Sequence, residues 1–571
     1  MKTKYPNLFG ILAALMLVVS FVVPVSLTSP SAVQADPGMC KWDTLREPGA
    51  LPGSEVVAVN TDPVDFAVGS DLSSIVAIVD ETTPTWPFGP ATLLKWSYSK
   101  GQTWTSSKYA ALGRNPVWGG VSSLGFPVDH LTRQLYQVAI APDNPNFWAV
   151  TSDGARTAAG APVDATRPGP VELWVTQNAG AAWDFTNLAS ILAAGETIRT
   201  VDISVDYGGK RDIAVGTTTG AGGGRLLVVK STGFSGWQVQ TNMPEAGIDI
   251  FAVKFSPSYA SDASLAVVFA DNTTASTGCP GLAGVAGATY YNVQLRDIDQ
   301  NATLGWAFTT PGIEVKDTTW PAGSSPGFLT LNKATLELPS DFSGQAASLR
   351  RAYISLDAML PYSTCTSVAK PACDKDGIFR IDDTTVYTLM DTSNISDKSI
   401  YSIAYFGTYA SGKLLAGERM GFPCTATVPT WFTDSPTTCP IPCWYPALKP
   451  TTGAACPPNP ACCTVTSKAG VGAAIVHWAP QGDVAYVITG SKAYVTGRDW
   501  WTNLVSTPIG NDESAMGISR NNGETWNQTS LIDTTITQFT DIAPTPDCKT
   551  IYLASVNACG ASTCYVTMSA N

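Results

Sequence analysis

Three segments of this chain share one eight-residue pattern, Ser/Thr-x-polar-x-Gly-x-Thr/Ala-Trp, each at the end of a short apolar run. They are Ser97-Tyr98-Ser99-Lys100-Gly101-Gln102-Thr103-Trp104, the looser Thr176-Gln177-Asn178-Ala179-Gly180-Ala181-Ala182-Trp183, and Ser519-Arg520-Asn521-Asn522-Gly523-Glu524-Thr525-Trp526. The spacing fits a tight turn. The polar third residue can bond its own turn backbone, Gly supplies the φ > 0 position, and Trp returns to pack on the strand just left. Degenerate Trp-ending segments follow at Ser231–Trp237 and Asp297–Trp306, and Gly377-Ile378-Phe379-Arg380-Ile381-Asp382-Asp383 leads into a strand-like Val386–Leu389. A second element recurs between them: Ile140-Ala141-Pro142-Asp143, Phe255-Ser256-Pro257-Ser258-Tyr259, Leu338-Pro339-Ser340-Asp341-Phe342, Trp478-Ala479-Pro480 and Ile542-Ala543-Pro544. Apolar runs such as Leu265–Phe269 and Val484–Ile488 come after it. The repeating unit is therefore about four short strands with two punctuating turns, which is the pattern of a closed ring of small sheets.

The octapeptides resemble the Asp-box (BNR) repeat of sialidase- and sortilin-like proteins, which marks the hairpin between the last two strands of a β-propeller blade. The resemblance implies an all-β chain, a single propeller of seven or eight blades spanning residues 36–571. Composition agrees: there are 50 Gly and 40 Pro, only 14% of residues are charged, and no long segment has a 3.6-residue apolar period. The match is closest to bacterial Asp-box proteins, including surface-layer proteins, which implies a non-catalytic structural or binding role at the cell surface. Sialidases and other glycosidases use the same repeat, so a secreted glycoside hydrolase is the alternative.

Residues 1–35 read as an export signal. Lys2 and Lys4 precede a nearly continuous apolar run from Leu8 to Leu27, and Val33-Gln34-Ala35 offers small residues for cleavage before Asp36. The run is long enough for an uncleaved anchor, which Pro24 disfavours, and no second membrane-spanning segment follows. The expected location is extracellular, on the cell surface. There the 13 cysteines read as disulfides rather than metal ligands. Six of them fall between Cys424 and Cys463 in a stretch dense in Pro, so residues 421–466 are expected to form a disulfide-stapled loop inserted in the ring. Trp431, Trp444 and Tyr445 would be its contact anchors or its own small core. Cys365 and Cys373 are expected to pair. A zinc knuckle is the rival reading, but neither His130 nor His477 lies in the cluster.

The formal net charge is −12 and no basic-aromatic stripe occurs, so nucleic acid is not an expected partner. Other envelope proteins, further copies of the chain, or surface glycans are. No cofactor is expected. Asp297-Ile298-Asp299-Gln300-Asn301 has oxygens for calcium but lacks the loop pattern of a calcium site and reads as a solvated turn.

No residue is nominated as catalytic, cofactor-binding or metal-ligating. The resemblance to sialidases implies three substrate-binding arginines, a tyrosine nucleophile and an acidic Asp after an N-terminal Phe/Tyr-Arg-Ile-Pro segment. Phe379-Arg380-Ile381-Asp382 lacks the Pro, comes after several boxes, and reads as an inner strand. Asp80-Glu81 and Asp206 could be acids of a glycosidase, but nothing pairs them. His477, in Ala473–Trp478, reads as a satisfied core histidine, and no nucleophile elbow, H-E-x-x-H or phosphate-binding glycine loop occurs. Ala221–Gly224 reads as a loop tip. At the C-terminus, residues near Trp42 are expected to complete the last blade beside Thr567, with Cys40 close to Cys559 or Cys564.

Overall fold

A computed structural model describes residues 61–71, 73–81, 91–99, 104–106, 135–153, 169–220, 222–230, 234, 236–240, 247–271, 292–299, 313–314, 330–359, 376–390, 399–419, 430–437, 442–447, 473–479, 484–490, 515–530, 536–544, 551–557 and 566–570. The protein is an all-β propeller. Among the described residues, seven four-stranded antiparallel sheets follow one another, within residues 61–106, 135–185, 197–239, 248–314, 330–388, 399–446 and 473–530. In each, strands pair in sequence order, so every unit is a meander made from one continuous stretch of chain. Among the described residues, helix is confined to one turn of α-helix, Tyr259–Asp262, and a 3-10 turn, Leu188–Ser190.

The chain divides into two compact units. Residues 48–534 hold the seven sheets. Residues 1–47 and 535–571 form the other unit, whose described strands Ile536–Pro544, Ile551–Asn557 and Val566–Ala570 make a three-stranded antiparallel sheet. Trp42, Cys40, Cys559 and Cys564, on which the expected terminal closure rests, lie outside the described residues.

Within residues 48–534 the first strands of the sheets face a common axis: Thr61–Val68, Leu135–Ala141, Thr197–Ile203, Ile248–Phe255, Thr330–Glu337, Ser399–Phe406 and Ala473–Trp478. Each packs on the first strand of the next sheet, and Thr61–Val68 packs on Ala473–Trp478, closing the series. The second strands are apolar runs with both faces covered: Ile213–Thr218 is buried along its whole length, as a strand sandwiched between neighbouring sheets must be. In six of the seven sheets the first-strand ladder skips one residue: Val64, Tyr136, Arg199, Phe251, Asn332 and Tyr401. These β-bulges bend the strand and increase its local twist. No single turn signal announced them.

The octapeptides sit between the third and fourth strands of the first, second and seventh sheets. Thr176 and Ser519 play the same part in two of them. Each hydroxyl accepts the Gly N–H four residues on, from Gly180 and Gly523, at 2.9 Å in both cases. The amide oxygens of Asn178 and Asn521 accept the N–H of Ala182 at 2.8 Å and of Thr525 at 2.9 Å. Gly180 has φ +81° and Gly523 φ +88°, so the glycine is set by backbone conformation. Each Trp is buried against the preceding sheet. Trp183 joins a cluster with Phe66 and Ile75 of the first sheet, and Trp526 one with Ala404 and Leu415 of the sixth.

The second recurring element latches the second, fourth and fifth sheets to the ones after them. The Asp143 carboxylate accepts the N–H of Asp206 at 2.9 Å and takes the Arg211 guanidinium. Asp262 accepts Gly344 N–H at 3.2 Å, and Asp341 accepts Tyr409 N–H at 2.8 Å. Phe255-Ser256-Pro257-Ser258-Tyr259 closes on itself through Ser256 Oγ donating to Asp262 Oδ2 at 2.7 Å, while the Tyr259 hydroxyl reaches Asp212 at 2.7 Å. Among the described residues the second–third, fourth–fifth and fifth–sixth junctions are thus held by an acid, and the first–second and sixth–seventh by the Trp of a box.

Other expectations are corrected. The segment 421–466 is not wholly a loop: Thr430–Thr433 and Tyr445–Pro446 are the third and fourth strands of the sixth sheet. Pro446 is tolerated because it lies on an edge strand. Trp431 and Trp444 belong to the core shared by the fifth and sixth sheets, with indole N–H bonds to Glu418 at 3.0 Å and the Leu389 carbonyl at 2.9 Å. Tyr445 alone of the three is exposed. Cys443, the one cysteine among the described residues, is exposed and unbridged, and the other expected pairings lie outside them. Phe379–Asp382 lies in the third strand of the fifth sheet, paired on both sides. Asp297–Asp299 ends the strand Asn292–Asp299 rather than forming a turn; residues 300 and 301 lie outside the described set.

Candidate axial site

Residues from all seven first strands enclose a cavity of about 170 Å³. It adjoins a wider funnel of about 680 Å³ at the end where those strands enter their first turns. The funnel wall is largely apolar, with Val68, Ile140, Ile203, Phe255, Leu338 and Trp478 around it, whereas the cavity is lined by charge. Alternation along a strand explains the division. Asp202, Lys254, Glu337 and His477 each immediately precede an apolar residue, Ile203, Phe255, Leu338 or Trp478, at the strand end, and they line both spaces.

Most of these polar groups join neighbouring strands. Asp65 Oδ2 accepts the Val138 N–H at 2.9 Å, and Asp202 Oδ2 accepts the Phe255 N–H at 2.7 Å. Gln137 Nε2 donates to the Arg199 carbonyl at 2.6 Å. Ser402 Oγ donates to the Ala474 carbonyl at 2.8 Å and accepts Val476 N–H at 3.1 Å. Lys254 Nζ lies 3.4 Å from Glu337 Oε1. Phe66 meets the His477 ring edge-to-face with centroids 4.7 Å apart.

The electrostatics follow from exclusion of water. Burial pushes the Asp65 carboxyl up to about 6, against the pull of Lys333 and of the Val138 and Phe66 N–H groups. Burial likewise raises Asp202 and Glu337, though Lys254 opposes both shifts. Burial alone would lower Lys254, but Glu337 and Asp202 outweigh it and hold the ammonium above its ordinary value. Lys333 has no such support. Burial brings it down to about 8, with Asp65 and Asp357 only partly offsetting. Burial, with Lys254 and Lys333 adding repulsion, drops His477 to about 3, so the imidazole is neutral at pH 7.

Of the residues weighed for catalysis in the sequence, His477 lies here, as a cavity wall rather than a purely apolar core residue. Asp206 is exposed in the turn latched by Asp143. The side chains of Asp80 and Glu81, and the whole of His130, lie outside the described residues. Of Ala221–Gly224, the described Gly222–Gly224 bind another sheet: the N–H groups of Gly222 and Gly224, with that of Thr219 before them, donate to the buried Asp249 carboxylate at 3.0, 3.1 and 2.9 Å. Arg380 is buried within the fifth sheet, 3.2 Å from Asp382, with Nη1 donating to the Pro436 carbonyl at 3.1 Å. Among the described residues no cluster of His, Cys, Asp and Glu has metal-ligand geometry, and no helix is long and apolar enough to cross a membrane.

Comparison with protein-family models and with curated proteins finds no match. Among solved structures the chain is similar to a GH74 xyloglucanase from Xanthomonas campestris, with TM-score 0.40, 13% identity, and coverage of 88% of this chain and 65% of that one. It is similar to a lectin from Burkholderia pseudomallei, with TM-score 0.39, 10% identity, and coverage of 83% and 98%. A Trypanosoma rangeli sialidase gives TM-score 0.34 and 10% identity over 64% of this chain and 54% of that one. This chain therefore spans about two thirds of the xyloglucanase. At 10–13% identity no site residue is carried across.

Proposed function

We propose that this chain is an exported, non-catalytic propeller of the cell surface, of the Asp-box type and closest in role to surface-layer proteins. Its partners would be other envelope proteins or further copies of itself, with surface glycans as a third class. The observation that carries this reading is the use made of the axial carboxylates. Asp65 and Asp202 each accept a backbone N–H of the next sheet, and Glu337 is paired with Lys254. A glycosidase needs two carboxyl groups facing across a shared space, one of them free to cycle its proton. Acids that tie strands together are poorly placed for that work. The basic, apolar and small-residue pattern of residues 1–35 supports export.

A second reading has one observation in its favour: a carboxyl raised to about 6 in a water-poor cavity, as Asp65 is, suits a general acid. Purified protein assayed against sialosides and a panel of polysaccharides separates the two. Turnover of about 1 per second or faster, abolished in Asp65→Asn, overturns the non-catalytic reading. Ordered two-dimensional arrays by electron microscopy, without turnover, support it.

A further inference from the structure

We propose that the axial cavity binds a small monocarboxylate bearing a neighbouring hydroxyl, held by Lys333, Thr335 and Gln137. This extends the surface-binding reading by naming what the axis can hold, and it does not require chemistry on the ligand.

Lys333 directly follows the bulge residue of the fifth sheet, in the wall of the cavity. Among the described residues its ammonium makes no hydrogen bond and no ion pair. It lies over the Tyr401 ring, whose centroid is 4.0 Å from Nζ. Lys254 shows the contrast, with its own carboxylate at 3.4 Å. Cation–π attraction offsets part of the cost of taking an ammonium out of water, but it leaves three N–H donors unused.

Two further atoms of residues lining the same cavity are unsatisfied. Thr335 Oγ1 and Gln137 Oε1 are buried and have no hydrogen-bond partner. An unused cation, a hydroxyl able to donate and an amide oxygen able only to accept define a complement. It is an anion with spare lone pairs for Lys333 and Thr335, next to a donor for Gln137.

Charge limits the anion. Asp65, Asp202 and Glu337 line the same space as Arg199, Lys254 and Lys333, so the wall is near balance and a dianion such as phosphate would add two charges to it. A monocarboxylate adds one, and Lys333 is the ammonium that meets it, since Lys254 is already paired with Glu337. A cavity of about 170 Å³ opening on a funnel of about 680 Å³ admits a small acid or the acidic end of a larger molecule. The apolar funnel wall keeps the local dielectric low, which strengthens the pairing.

The test is calorimetric titration of the full chain with D-glucuronate and glycolate as probes, and D-glucose as the uncharged control. Binding at a Kd of about 1 mM or tighter is expected for the acids, with glucose at least about tenfold weaker, a difference of about 1.4 kcal/mol. Lys333→Met should abolish binding, whereas Lys333→Arg should keep it. Equal binding of glucose and glucuronate, unchanged affinity in a folded Lys333→Met, or no binding of either acid overturns the proposal.

Acylation of the wild-type protein with acetic anhydride, read by peptide mass, covers the case in which the variant does not fold. Glucuronate should protect Lys333 and leave an exposed lysine such as Lys210 unprotected; an unprotected Lys333 overturns the site. Failure here leaves the surface role standing, and turnover in the polysaccharide screen overturns that role while leaving this site intact.

Discussion

Asp65→Asn tests whether the axial charges cost the fold stability. The carboxyl is held at about 6 in the folded chain against an ordinary value of 3.8. A raised carboxyl contributes stability that is fully present below about pH 3.8 and is lost as pH climbs through about 6. Between those limits the unfolded chain ionises and the folded chain resists. At about 1.4 kcal/mol per unit, the loss is on the order of 3 kcal/mol. Asn has nearly the same shape, and its amide oxygen can still accept the Val138 N–H. Removing Asp65 also strips Lys333 of an attractive neighbour, which takes back part of the gain. The expected outcome is a variant more stable than wild type by about 1–2 kcal/mol at pH 7.5, with the advantage gone at pH 4. A unit of several hundred residues unfolds with an entropy near 1 kcal/mol per degree, so this is roughly 1–2 °C in Tm by scanning calorimetry. A variant less stable than wild type by the same margin at both pH values would refute the reasoning, because Asp65 would then act only as a hydrogen-bond acceptor.

Four further outcomes are expected. Asn521→Ala removes the acceptor of the Thr525 N–H and hydroxyl and should cost about 1–3 kcal/mol in urea unfolding. Arg225→Met leaves the buried Glu196 without its guanidinium partner at 2.5 Å; the loss should be up to about 3–5 kcal/mol, lower if water reaches the half-exposed side. Asp341→Ala frees the Tyr409 N–H, so hydrogen exchange should rise at the fifth–sixth junction and stay unchanged at the second–third. Mass spectrometry of the native protein should find its N-terminus at Asp36 in the envelope fraction; intact Met1 in the cytosol counts against export.

The turns were legible in the sequence because their bonds are local: Ser519, Asn521 and Gly523 satisfy one another within five residues. The propeller class followed from their repetition. The latches were visible as a motif but not as a function, since Asp143 meets a residue 63 positions away and Asp262 one 82 positions away. The third and fourth strands of the sixth sheet were hidden by Cys and Pro, although Trp431 and Trp444 flank the very segment that packs. The axial site was the least legible. Lys333 lies in an ordinary-looking Leu-Asn-Lys-Ala, and only the bulge before it and the six other strands around it make it unusual. Ladder register and ring packing are long-range properties that a single stretch of residues does not encode.

Each of the seven sheets is cut from one uninterrupted length of chain, and the first meets the seventh by side-chain packing, Phe66 on His477 among others. Among the described strands every ladder therefore begins and ends inside its own unit, and one isolated bridge, Gly223 to Ile248, crosses from the third sheet to the fourth. Copying or deleting a whole unit would break no strand ladder; it would ask that the contacts at the junctions, such as the acid latches, be remade. A molecule built this way can change the size of its ring by recombination between repeats. Under pulling force, its units should give way one at a time, with the extension of each step set by the length of a single repeat.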